Sequence, residues 1–412
     1  MHFAMVTTFY PPYHFGGDGT YIRALSKELV TRGHQVSIIH CIDAYELSGA
    51  KEHVDVSESE IQGIRIIRLK SNFGFLSPLI TQLTGEPGLK SRTLKDFFSE
   101  SYDVVNFHNI SLIGGPGIVA LSRAAVNLYT LHEHWLLCPT HIFWKNKRRA
   151  CDKRDCFRCS IRSGIPPQLW RYTQKIKRMA EHIDCFIAPS QFTAEQHRLG
   201  GISQNIKVMP LFSYLSPCDH QDLSNQSLSF LTVGRVTASK GIGQLVEAFA
   251  NWPQFRLTVV GDGDQLPSLR DKFGHLEHIH FQGQLPQKTL ISLYQKSTAL
   301  ILPSLAPETF GLTVVEAFAC GTPAIVRIAG GNRETIDQSE AGFLYKTNEE
   351  LLAILVKFQE QPRLRARLGK KARKAYENNY TREVHVSNYL TLVEQLLQSR
   401  STLDSNACAS LT

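Results

Sequence analysis

The sequence predicts an α/β protein of two parallel-sheet domains, and three features lead there. Short apolar runs alternate with amphipathic segments from the first residues onward, the rhythm of strands covered by helices. That rhythm breaks in a polar stretch, Ser213 to Ser227, which holds Pro217, Asp219, His220, Asp222 and Asn225, and it restarts at Leu228. The chain has 412 residues, 42% of them hydrophobic and 20% charged, so it can bury large cores. No window approaches the roughly eighteen consecutive apolar residues of a membrane span.

In chain order, the β-branched and apolar runs Phe3–Thr8, Gln35–Cys41, Ile64–Leu69, Val104–His108, Leu128–His132 and Cys185–Pro189 read as strands of one sheet. Tyr21–Thr31 reads as the first covering helix. The polar stretch is read as an interdomain linker. Beyond it, Leu228–Val233, Arg256–Val260, Ile279–Phe281, Ala299–Leu302, Ala324–Arg327 and Gly342–Tyr345 form the strands of a second sheet. Leu351–Arg400, dense in Leu, Ala, Lys, Arg and Glu, is helical in character. The division expected is a first domain over 1–212 with a Cys-rich insertion near 135–165, a second over 228–375, and a helix over 376–400 packing back on the first. The small polar tail Ser401–Thr412 is expected to fray.

Formal charge is +8 and the sequence pI is about 9.0, which suits an acidic substrate or an anionic membrane surface. The N-terminus runs straight into strand-like sequence without a basic leader or cleavage site, so a cytoplasmic protein is expected, resting peripherally on the inner membrane face. Five of the nine cysteines, Cys41, Cys185, Cys218, Cys320 and Cys408, are scattered singly, unlike a disulfide framework.

Chemistry gathers at strand-to-helix turns. The segment Pro307 to Pro323 reads as a strand end, a loop, and a helix stopped by Gly321 and Pro323. Glu308 precedes the helix and Glu316 lies roughly one and a half turns inside it. The open amides of Gly311 and Leu312 face the same space, where a helix N-terminus favours anions. Hydroxyl-gripping carboxylates beside phosphate-binding amides describe a site for a nucleotide sugar. Gly16 and Gly17 open the first helix after the first strand, where backbone can approach a phosphate without Cβ interference, although a plain tight turn reads equally well. In Gly234–Gly241, Arg235 offers a planar fork and Lys240 a point charge at a strand's carboxyl end, which suits a diphosphate. Gly330 and Gly331 precede Glu334, a helix-capping or ligand-contacting carboxylate. Asp262 and Asp264 read as caps of the following helix in preference to a metal pair.

In this order, Gly16-Gly17, Gly-Arg-x4-Lys-Gly, Glu-x7-Glu and Gly-Gly-x-x-Glu resemble the retaining glycosyltransferases of family 4, over nearly the whole chain. The resemblance implies the GT-B architecture, two Rossmann-like doubly wound domains facing a central cleft, with the C-terminal helix returning to the first. It implies that Arg235 and Lys240 hold the donor diphosphate, Glu316 the ribose and Glu308 the sugar hydroxyls. It also puts the amides of Phe310, Gly311 and Leu312 against sugar and phosphate, and Gly16 and Gly17 near the diphosphate. His132 matches the family's histidine beside the donor sugar, and His108 is a weaker candidate lining the acceptor side. Catalytic roles therefore fall to His132, Arg235, Lys240 and Glu308, without a catalytic cofactor. Partners expected are a nucleotide-diphosphate sugar and a glycan or lipid-linked acceptor, and no nucleic acid. An epimerase or phosphorylase of the same fold and a non-catalytic nucleotide-sugar-binding protein are the alternatives.

Cys138, Cys151, Cys156 and Cys159, spaced Cys-x12-Cys-x4-Cys-x2-Cys amid Lys145, Lys147, Arg148, Arg149, Lys153 and Arg154, read as one structural zinc site. Four reduced thiols in a basic loop are the competing reading.

Overall fold

The computed structural model describes residues 1–14, 16–47, 57–213, 215 and 228–409. The linker reading of Ser213–Ser227 falls largely outside these residues, as does Cys218, whereas the tail expected to fray from Ser401 instead continues the last helix, Arg382–Ala409, as far as residue 409. In the first half, strands β1 (His2–Val6), β2 (Gln35–Cys41), β3 (Glu58–Ile61), β4 (Ile64–Leu69), β5 (Val104–Phe107) and β6 (Val126–Thr130) come first. A two-residue hairpin follows, β7 (Trp144–Lys145) and β8 (Arg149–Ala150), then β9 (Cys185–Ala188) and β10 (Ile206–Val208). The eight-stranded sheet runs β10-β9-β6-β5-β1-β2-β4-β3, parallel except for β3 against β4. The short edge strands β3 and β10 carry no strong apolar pattern, and the sequence reading missed both. β6 stops at Thr130, so His132 lies in the loop beyond the strand.

The second half holds β11 (Ser229–Val233), β12 (Arg256–Val260), β13 (Ile279–Gly283), β14 (Ala299–Leu302), β15 (Ala324–Arg327) and β16 (Gly342–Tyr345). All six are parallel in the order β13-β12-β11-β14-β15-β16. Counted along its own half, that is 3-2-1-4-5-6, a doubly wound sheet whose direction of winding reverses between β11 and β14. The first sheet reverses in the same way between β1 and β5. A crevice opens at the carboxyl ends of the strands at such a reversal, so both halves offer a site where the glycine turns stand.

Central strands such as Ala299–Leu302 and Ala324–Arg327 are apolar on both faces because helices cover both. One continuous core cluster joins the halves. It runs from Phe3, Tyr21 and Leu25 through Phe212 and Leu215 to Phe310 and Val315, and ends on Tyr376, Tyr380, Val386 and Tyr389. The last two belong to the helix Arg382–Ala409, which lies on the first half. Tyr389 accepts from Asn106 Nδ2 at 3.2 Å, and Arg400 donates to Ala125 O at 2.6 Å. No helix of the described residues is long and apolar enough to cross a membrane.

Candidate functional site

The turn after β11 and the loop after β14 meet because glycine lets them. Gly241 sits at φ 69°, and a Cβ there would stand 2.2 Å from Pro303 O. That close approach sets Lys240 beside Glu308, Nζ to Oε1 2.6 Å, and Ser304 Oγ donates to the same carboxylate oxygen at 2.5 Å. Gly330, at φ 86°, performs the same service on the other side. Its backbone bridges to Glu308, and Gly331 N donates to Glu308 O at 2.8 Å. Lys240 and Ser304 therefore hold the carboxylate proposed from sequence to grip hydroxyls, and the glycine turn holds the backbone that carries it.

Glu316 is 4% exposed on the helix Leu312–Ala319, and Tyr294 O–H donates to its Oε2 at 2.8 Å. Gly311, at the start of that helix, contributes no side-chain cap, and the amides of Phe310, Gly311 and Leu312 donate to no described group. Open donors and the positive helix end therefore face the crevice. Arg235 is exposed and forms no ion pair among the described residues. It is an exposed cation within electrostatic reach of Asp18 in the other half. The two cations thus differ, since Lys240 is already neutralised by Glu308.

The first half brings a different chemistry to the same cleft. Gly17 faces Leu312 closely, a Cβ on it standing 3.2 Å from Leu312 Cδ2. Asp18, which the sequence reading passed over, feels both Glu133 and Arg235. Burial chiefly, and Glu133 next, push its carboxyl up to about 6, while Arg235 pulls the other way. Its signal was present in the sequence, a carboxylate one residue past the glycine pair. His108 Nδ1 and His132 Nε2 lie 2.9 Å apart. Burial and then His385 push His132 down to about 3, and burial and His132 hold His108 well below the usual range, so neutral rings are favoured, with the N–H of one donating to the bare nitrogen of the other. Behind them Tyr21 O–H donates to His385 Nε2 at 2.7 Å, and His385 Nδ1 donates to Pro210 O at 2.7 Å. The last helix thereby supports the histidine wall.

Contacts across the cleft correct one reading. Glu334 does act as a cap, but of a helix in the other half. Gln191 N and Phe192 N, at the start of the helix Gln191–Leu199, donate to its Oε2 and Oε1 at 2.8 and 2.7 Å. Ser190 Oγ donates to Thr309 O at 2.7 Å, and Thr309 Oγ1 to His132 O at 2.9 Å. The aspartate reading also changes. Asp262 accepts from Gly263 N at 2.7 Å, and the helix Leu266–Phe273 carries no side-chain cap.

Two family models divide the chain between them, "Glycosyltransferase Family 4" over residues 15–212 and "Glycosyl transferases group 1" over 220–375. The D-inositol 3-phosphate glycosyltransferase of Thermomonospora curvata is 31% identical over 86% of this chain and 85% of its own. The chain belongs to glycosyltransferase family 4. The α-monoglucosyldiacylglycerol synthase of Acholeplasma laidlawii is 26% identical over 93% of this chain and 95% of its own. Among solved structures, sucrose-phosphate synthase from Thermosynechococcus elongatus superposes with a TM-score of 0.75 at 20% identity, over 97% of this chain and 99% of that one. The family 4 fold is therefore GT-B, and the crevice above lies between its two halves.

Proposed function

We propose that this glycosyltransferase moves a sugar from a nucleoside-diphosphate sugar to an acceptor hydroxyl with retention at the anomeric carbon and without a catalytic metal. One observation carries the reading. Arg235, the Lys240–Glu308 pair, buried Glu316 and the open amides of 310–312 all stand on the segments that follow β11 and β14, where the sheet winding reverses. Each matches a part of the donor: cations and amides the diphosphate, Glu316 the ribose, Glu308 the sugar.

Cleaving the sugar–phosphate bond builds negative charge on the diphosphate and positive charge on the anomeric carbon. Arg235, Lys240 and the helix N-terminus answer the first. Incoming diphosphate draws Lys240 toward phosphate and frees a Glu308 oxygen for hydroxyls. The opposing wall is neutral at His108 and His132 and anionic at Asp18, which suits the positive charge. Departing phosphate takes the acceptor proton on the same face, so configuration is kept.

The acceptor proposed is a glycan or glycolipid at the cytoplasmic membrane face. A groove of about 620 Å³ in the first half is lined by Arg154, Tyr172 and Lys177, a polar and basic rim suited to an anionic headgroup. Arg171 is no part of that exposed charge, since its guanidinium lies over the rings of Trp135 and Trp170 at 5.1 and 4.6 Å. The Acholeplasma relative is named for a glycolipid, which favours a lipid acceptor.

Incubating the chain with uridine, guanosine and adenosine diphosphate sugars in EDTA, and following the sugar by NMR, tests this. The expected result is slow donor hydrolysis with a first-formed product of unchanged anomeric configuration. An inverted product, or activity lost in EDTA and restored by Mn²⁺, overturns it.

A further inference from the structure

The insertion between β6 and the helix Lys175–Glu181 supplies none of the residues assigned to the donor and meets the cleft wall where His141 Nδ1 lies 2.8 Å from Glu133 Oε2, yet it is built around sulfur. Cys138, Cys151, Cys156 and Cys159 come from a loop, the end of the β7–β8 hairpin and the helix Cys156–Arg162, and they line one common pocket of about 20 Å³. That is room for about one atom-sized occupant. All four are free thiols, so no disulfide holds the insertion together.

Three further observations say what would occupy the space. Asn146 N donates to Cys159 Sγ at 3.3 Å from the tip of the hairpin, a bond that a thiolate accepts far better than a thiol. Arg171 lies close enough to interact electrostatically with Cys138 and Cys156, and its Nη2 is buried without a hydrogen-bond partner. No carboxylate forms an ion pair with it among the described residues, and Glu133 acts on it only at longer range. Finally, four of the six non-glycine residues at positive φ among the described residues, His141, Phe143, Asn146 and Lys147, fall inside this loop. Left-handed backbone at such residues is costly and persists where surroundings impose it. A hairpin of two-residue strands buries only Phe143 and Trp144 and cannot impose it alone.

We propose that Cys138, Cys151, Cys156 and Cys159 bind one structural zinc ion as four thiolates. Among the described residues no three His, Cys, Asp or Glu side chains stand ready-made around an ion, so closure comes with binding, when the thiols turn inward to about 2.3 Å from the metal. Each of the four S–H groups gives up its proton to solvent and its sulfur donates a lone pair to Zn²⁺. The site then carries a net charge of −2, which Arg171, Lys145 and Arg154 offset. Four protein ligands leave no open position, so the ion orders the insertion and takes no part in transfer.

The full chain, expressed without a metal-affinity tag and purified without chelator, is assayed by plasma mass spectrometry and by stepwise titration of thiols with a mercurial in the presence of a zinc dye. The expected result is close to one zinc per chain, released as four thiols react. Cys156→Ser and Cys159→Ser should each lower zinc content at least fivefold and expose the segment 145–162 to protease, while nucleoside diphosphate binding stays within about twofold of wild type. Cys185→Ser, outside the cluster, should keep its zinc. Metal-free protein whose insertion resists protease, or stoichiometric iron with visible absorbance, overturns the assignment.

Discussion

The two halves of the molecule begin alike, each with a strand, a glycine turn and a helix at a reversal of sheet winding, and they arm that turn with opposite charge. After β11 the turn carries Arg235 and Lys240; after β1 it carries Gly16, Gly17 and Asp18. The two turns give the cleft a cationic side and a neutral-to-anionic side, which under the proposed function would meet the phosphate and the reacting sugar respectively. Burial differs in the same sense. Arg235 is exposed and unpaired, whereas the histidines opposite are held neutral by their surroundings.

The sharpest way to break the contrast is to strip the cationic turn. Arg235→Ala and Lys240→Ala should each lower kcat/KM for the donor by at least about 100-fold, a few kcal/mol of lost charge-assisted contact. Arg235→Ala is the cleaner variant, because an exposed, unpaired side chain should change stability by no more than about 0.5 kcal/mol. Lys240→Ala also deprives Glu308 of its partner. Steady-state kinetics with thermal melts separates the two effects.

Removing charge from the opposite turn should do less. Asp18→Asn should lower the maximal transfer rate by about tenfold and leave nucleotide affinity intact. Because burial lifts this carboxyl to about 6, transfer in the wild type should rise with pH through about 6 as the anion forms. A pH–rate profile of the variant should lack that limb.

Acid tests the buried histidines of both the cleft wall and the surrounding first half. His40 and His134 are pushed down to about 3 and His197 and His385 to about 4, all chiefly by burial. Between those values and the ordinary 6.5 the unfolded chain binds protons that the folded chain does not, so stability is present above about 6.5 and falls as pH falls. Each fully buried histidine contributes about 2 kcal/mol of loss at pH 5. Melting temperature should drop steeply between pH 6.5 and 4, and a flat profile would mean that these histidines are solvated.

The smallest effect expected is at the cleft's latch. Glu334→Gln weakens the cap on the helix Gln191–Leu199 by about 1 kcal/mol, and should raise the donor KM a few-fold with kcat nearly unchanged.

The elements that line the cleft were legible because their residues announce themselves locally: glycines at turns, a Glu-x7-Glu spacing, strands apolar on both faces. What stayed hidden depends on partners distant in sequence. Asp18 stands beside the glycine pair in the sequence, but its raised carboxyl comes from burial and from Glu133, and Glu334 caps a helix 143 positions away. Arg171 reads as surface charge until Trp135 and Trp170 close over it, and β3 and β10 are edge strands that the rest of the sheet defines.

The claim that the second half's first turn holds the diphosphate is tested most directly by calorimetric titration of UDP, GDP and ADP into wild type, Arg235→Ala and Asp18→Asn. The account predicts one site per chain for at least one nucleotide, weakened tenfold or more in Arg235→Ala and unweakened in Asp18→Asn. Equal affinity in wild type and Arg235→Ala, or binding lost only in Asp18→Asn, would contradict it.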